Sequence, residues 1–173
     1  MNELSLVPST VPKTGAALAP RHLGPLTNSY LRFDLGQQPA LLPTRQVQEA
    51  ITIPAARITP MPNMPPALLG LINRRSQVLW VADLALILGL PVAYPSFQPY
   101  NLVLVQTATG LLGLRVQQID GILSIPPEQI QDPPAHVPAS LAPFLQGCVL
   151  QGGEVLLGLD AEALLQAPVL QAV

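Results

Sequence analysis

Short apolar runs with a period of two, cut at close intervals by proline and glycine, restrict what this chain can fold into. In Tyr30-Leu31-Arg32-Phe33-Asp34-Leu35 the alternation places Leu31, Phe33 and Leu35 on one face of a half-buried strand. Gly36-Gln37-Gln38-Pro39 turns the chain, and Ala40-Leu41-Leu42 reads as a partner strand ended by Pro43. Val47 to Ile53 is another strand, with Val47, Glu49, Ile51 and Ile53 on a common face. Val78–Val81, Leu102–Val105, Leu112–Val116, Ile119–Ile125, Cys148–Leu150 and Val155–Leu159 continue the series, with Thr109-Gly110 and Gln151-Gly152-Gly153-Glu154 as hairpin signals. About eight to ten short strands at this spacing predict an all-β barrel or sandwich.

Helical signals are few. Pro66 is suited to open a turn over Ala67, Leu68 and Leu69, closed by Gly70. Asp83 is suited to cap Leu84–Leu88, with Gly89 after its end, and Asp160 to cap Ala161–Gln166, stopped by Pro168. Ser140 through Leu145 predicts one more helical turn. Residues 1–28 hold Pro8, Pro12, Pro20 and Pro25 with neither period, which predicts a flexible tail. The ordered domain is expected over 29–167, with a short C-terminal tail over 168–173.

Composition narrows the function. Charged residues are 10% of the chain, far below the usual figure of about 25%. Much of the surface is therefore neutral, as suits a protein held against other proteins. With a net charge of −2 and scattered cations, nothing neutralises a phosphate backbone, so nucleic acid is not expected as a partner. Val78 to Ala93 is apolar, but Asp83, Gly89 and Pro91 interrupt it; it predicts a strand running into a short helix, not membrane insertion. Met1-Asn2-Glu3-Leu4-Ser5 lacks a basic and apolar leader, and Cys148 is the lone cysteine. Both predict a soluble, cytoplasmic protein.

Catalytic chemistry is missing. A nucleophile needs a base and an orienting group. The histidines are His22 in the expected tail and His136 in a Pro-rich loop, and Cys148 sits in a strand pattern. No metal-ligand spacing and no phosphate loop is present, so no enzyme, cofactor or metal is predicted. One residue asks for an explanation. Glu49 lies among apolar neighbours, which is costly unless it sits at a bulge reaching solvent or meets a cation.

The order of features resembles one family. Leu69-Gly70-Leu71-Ile72-Asn73-Arg74-Arg75-Ser76-Gln77-Val78-Leu79-Trp80-Val81-Ala82-Asp83-Leu84 looks like the CheW signature of Gly, an apolar pair, Asn-Leu-Arg-Gly, an apolar strand and Asp-Leu. Tyr30–Gly36 resembles the family's first strand, Val47-Gln48-Glu49 its Val-x-Glu strand, and Leu112–Ile119 its Gly-x-x-Val-Asp-x-Val segment. Asn73-Arg74-Arg75 and Trp80 resemble the cyanobacterial branch that serves phototaxis and pilus motility (PixI/PilI-like). The chain departs from the pattern at Arg74 (Leu in the family), Ser76 (Gly) and Gln117 (Asp).

The resemblance implies two small interlocked five-stranded, SH3-like β-barrels. It implies a non-enzymatic adaptor linking a methyl-accepting chemotaxis-type receptor to the regulatory domain of a CheA-like histidine kinase, at receptor arrays beneath the membrane. Val47, Glu49, Arg75 and Leu102 match the family's receptor-facing groove, and Gly70 and Ile122 match positions tied to receptor or kinase contact. Arg75 either reaches a partner or pairs internally with Glu49. The competing readings are a CheW-like module that sequesters the kinase without a receptor, and a small-ligand-binding β-barrel. An adaptor should show open grooves, and a ligand barrel a closed cavity with convergent polar groups.

Overall fold

The computed structural model describes residues 28–92, 94 and 98–171. Of the expected N-terminal tail only Asn28 falls among them, and part of the Pro91–Pro99 loop lies outside. The chain starts one sheet with β1 (Ser29–Asp34) and β2 (Pro39–Pro43). It crosses to build a second from β3 (Val47–Ile53), β4 (Leu68–Arg74), β5 (Gln77–Asp83), β6 (Tyr100–Gln106) and β7 (Leu111–Val116), with helix α1 (Leu84–Ile87) after β5. It then returns through β8 (Gln118–Ser124), β9 (Ile130–Gln131), β10 (Leu145–Gln151) and β11 (Glu154–Leu159), and ends in α2 (Ala161–Leu165) and α3 (Pro168–Gln171).

The first sheet runs β8-β1-β2-β11-β10-β9 and the second β3-β6-β7-β5-β4. Pairing is antiparallel except between β11 and β2 and between β5 and β7. The second sheet has the five strands expected, and the first gains the two-residue β9 as a sixth. Because β1 and β2 belong with β8 to β11, the two halves are interlocked through the chain itself.

Both faces of the central strands are covered, which is why several segments are continuous apolar runs. Leu31, Phe33, Ala40 and Leu42 of the first sheet meet Ala82, Val103, Val105 and Leu114 of the second in the largest cluster, shared between the sheets. The alternate residues Ile72, Leu79, Val81, Leu102 and Leu104 form a smaller cluster belonging to the second sheet. Tyr30, Leu41, Val149 and Leu156, with Ile125, do the same for the first. The Asp83 and Asp160 caps form as expected, each carboxylate accepting from a backbone N–H of its helix.

Three expectations are corrected. Of the predicted helical turn over Ala67–Leu69, Ala67 lies in a turn and Leu68 and Leu69 begin β4. Leu68 packs on the shared cluster and Leu69 on that of the second sheet, so a strand buried on two faces mimicked a short helix. Gly70 does not close a helix. It sits at a bulge in β4 with φ of 146°, a conformation that L side chains rarely adopt. Finally, Pro168–Gln171, expected as part of a tail, form α3, whose Val169 and Leu170 pack against the shared cluster.

Candidate partner-binding surface

Glu49 is placed by a second bulge. On β3, Val47 lies opposite Val105 but Glu49 lies opposite Leu104, so the register slips between them. Val47 consequently packs on the shared cluster, whereas Ile51 and Ile53 pack on the cluster of the second sheet. The common face expected for Val47 and Ile51 is broken by the extra residue. Glu49 keeps the face of Ile51 and ends at the rim of the second sheet's own cluster.

The β4–β5 hairpin brings the cations. Arg74 and Gln77 are its last pair, leaving Arg75 (φ 52°) and Ser76 (φ 62°) as a two-residue loop. Positive φ at both central residues is the type I′ turn, whose twist matches that of the flanking strands. Ser76 therefore occupies a left-handed position and bears its cost without the glycine of the family pattern.

Arg74 is the main partner of Glu49. Its Nε donates to Oε2 at 3.3 Å and its Nη2 donates to Oε1, a two-pronged contact. Arg75 reaches the same Oε1 with one Nη2 at 3.4 Å. The Arg75 side chain is 72% exposed, that of Glu49 only 18%. The hydrogen bond from Arg74 holds the Glu49 carboxyl below its ordinary range, outweighing the opposing effect of desolvation, and Arg75 adds a weaker attraction. The same bond pushes the Arg74 guanidinium up.

Of the two alternatives for Arg75, the internal contact with Glu49 is present, but Arg74 takes the larger share of it. Strand alternation does not separate the two arginines, because β4 ends at Arg74 and Arg75 belongs to the turn. The signal for Arg74 lay two residues back. Ile72 packs in the second sheet's cluster, so Arg74 lies on the same face as Glu49.

The remaining predicted residues separate. Leu102 is fully buried and lies opposite Ile51, so it supports β3 from inside. Gly70 is also buried, and a Cβ there would stand 2.2 Å from the carbonyl oxygen of Thr59. Its role is to let two backbones approach. Val47 is half-buried on the bulged edge strand. Ile122 is 66% exposed, but it stands on β8, the edge strand of the other sheet.

Two features escaped the sequence. The Arg115 guanidinium lies between the rings of Tyr94 and Tyr100, 3.5 and 3.6 Å from their centroids, tying the loop before β6 to β7. Trp80, half-buried on β5, lines an open groove with Met64, Leu68, Leu112, Leu165 and Leu170. Among the described residues no group of three or more His, Cys, Asp or Glu side chains is placed to hold a metal. Among them, too, no helix is long and apolar enough to cross a membrane.

Comparison with known proteins places this architecture. The chain is 30% identical over 116 residues to the chemotaxis protein CheW of Rhizobium meliloti, covering 67% of this chain and 73% of that protein. It is 26% identical over 142 residues to the chemotaxis protein CheW of Treponema pallidum, covering 80% and 82%. The crystal structure of the scaffolding protein TtCheW from Thermoanaerobacter tengcongensis superimposes with a TM-score of 0.68 at 22% identity, over 78% of this chain and 89% of that one. The CheW-like domain pattern matches residues 29–169. With the interlocked sheets and these matches together, the chain belongs to the CheW-like domain family.

Proposed function

We propose that this protein is a non-enzymatic adaptor coupling a methyl-accepting-type receptor to the regulatory domain of a CheA-like histidine kinase, at arrays beneath the membrane. The observation that carries the reading is the family match over residues 29–169, nearly all of the described chain. The surface is consistent with it. The groove lined by Trp80, Leu112, Leu165 and Leu170 is an open cleft between strands and helices, suited to a protein segment more than to an enclosed small molecule. Val47, Glu49 and Arg75 form the receptor side in this reading, with Leu102 and Gly70 shaping it from behind, and Ile122 serves a contact on the other sheet. The working unit begins at residue 29 and includes α3, with residues 1–28 dispensable. Asn73-Arg74-Arg75 and Trp80 favour the phototaxis or pilus-motility branch.

Co-purification tests it. The tagged full chain is expected to retain both the CheA-like kinase and a receptor cytoplasmic fragment from the same organism. Retention of the kinase alone would favour the sequestering module, and retention of neither would refute the reading.

A further inference from the structure

We infer that Arg74 is a specificity-determining residue of this surface: by holding Glu49 itself, it leaves Arg75 to take a carboxylate from the partner. The inference rests on the adaptor reading above and adds to it the chemistry of the partner.

The count of charges is the starting point. Two guanidiniums share one carboxylate, so the three groups together carry +1. Arg74 engages both oxygens of Glu49. Arg75 adds one longer contact, at 3.4 Å, to an oxygen that Arg74 already occupies. A guanidinium carries five N–H donors in a planar fork. Most of those of Arg75 are therefore open to a second acceptor, and its side chain is 72% exposed. The type I′ turn fixes the backbone beneath it, with both central residues held at positive φ.

The surroundings define what fits. Among the described residues, Glu49 is the one carboxylate within ion-pair reach of either guanidinium. A carboxylate complements such a tip, because a planar fork takes a carboxylate in bidentate fashion. A partner presenting a cation there would meet two guanidiniums. Were position 74 apolar, Glu49 would be left to Arg75, drawing its fork inward and cancelling the surplus charge. Arg74 thus acts through Arg75, as a positioning residue that touches no partner.

The experiment is calorimetric titration of the full chain with a receptor cytoplasmic fragment from the same organism. Arg75→Ala is expected to weaken binding about 30-fold, the size of an interface arginine. Arg74→Leu should weaken it about tenfold, and Arg74→Lys, which keeps a cation on Glu49 and so guards against misfolding, by less than about threefold. The double variant Arg74→Leu/Arg75→Ala should bind no more weakly than Arg75→Ala alone. Changing acidic residues at the receptor tip to amides one at a time should identify one that weakens the wild type and leaves Arg75→Ala unaffected. Additive losses at positions 74 and 75, or acidic substitutions that affect wild type and Arg75→Ala equally, would overturn the inference while leaving the adaptor reading in place. Failure of the wild-type chain to bind any such fragment would refute the adaptor reading itself, and the inference with it.

Discussion

Arg74 meets Glu49 from the far edge of the same sheet: β4 and β3 are the two outermost strands of the order β3-β6-β7-β5-β4. A contact between the two edges means that the sheet has curled on itself, and the ion pair caps the end of the cluster formed by Ile72, Leu79, Leu102 and Leu104. A sheet closed in this way exposes fewer unpaired strand edges.

This pair should show in acid. The Glu49 carboxyl is held below its reference value of 4.5, so its contribution to stability is present above pH 4.5 and is lost as pH falls through the lowered native value. In urea titrations from pH 7 to 3, the advantage of wild type over Glu49→Gln should shrink below pH 4.5. Asp83 acts with the opposite sign. Burial raises its carboxyl above 3.8, so its contribution is complete below that value and is lost as pH rises through the raised one. An advantage over Glu49→Gln that is independent of pH would contradict the ion-pair assignment.

Ser76→Gly should stabilise the protein. Ser76 holds a φ of 62° that costs an L residue about 1–2 kcal/mol, part of which glycine returns to the unfolded chain as entropy. A net gain of about 1 kcal/mol is expected in chemical denaturation. A loss of stability would mean that the Ser76 side chain has an interaction which outweighs its backbone strain.

Gly70→Ala should be severe, and Gly113→Ala mild. A Cβ at Gly70 meets the Thr59 carbonyl at 2.2 Å and its carbon at 2.7 Å, on backbone with φ of 146°. Neither the clash nor the dihedral can relax without parting β4 from the Thr59 bridge, so a loss of about 3 kcal/mol or more is expected. At Gly113 the nearest atoms are side-chain methyls at 3.2–3.4 Å, which can shift. Thermal melts of the two variants separate the cases, and equal effects would contradict the close approach at Gly70.

Trp80 is the single tryptophan and lines its groove with Leu165 of α2 and Leu170 of α3. Its emission should be blue of free indole, and removal of residues 168–173 should move it to the red. No change on truncation would place α3 away from the groove.

Much of the fold was legible in the sequence because short strands with turn signals leave few architectures. Leu31 and Phe33 on one face, the Asp83 cap and the Gly152-Gly153 hairpin all lie where the local pattern puts them. The misses share a physical cause. Bulges at Val47/Glu49 and at Leu68/Gly70 break the period of two that the reading assumes, and a bulge is set by the partner strand, which local sequence does not reveal. The site suffered most from this. Position in a motif points to Arg75, whereas the end of β4 decides that Arg74 faces Glu49. The Arg115 stack joins residues far apart in the chain and leaves no local trace.

The most direct test of the adaptor account is the activity of the kinase. Autophosphorylation of the CheA-like kinase, measured with receptor-containing membranes from the same organism, should rise with added wild-type protein to a saturating value. It should stay near the kinase-only rate when receptor is omitted, and half-saturation should need more Arg75→Ala than wild type. A kinase rate that falls steadily with added protein, or that ignores it whether or not receptor is present, would contradict the account.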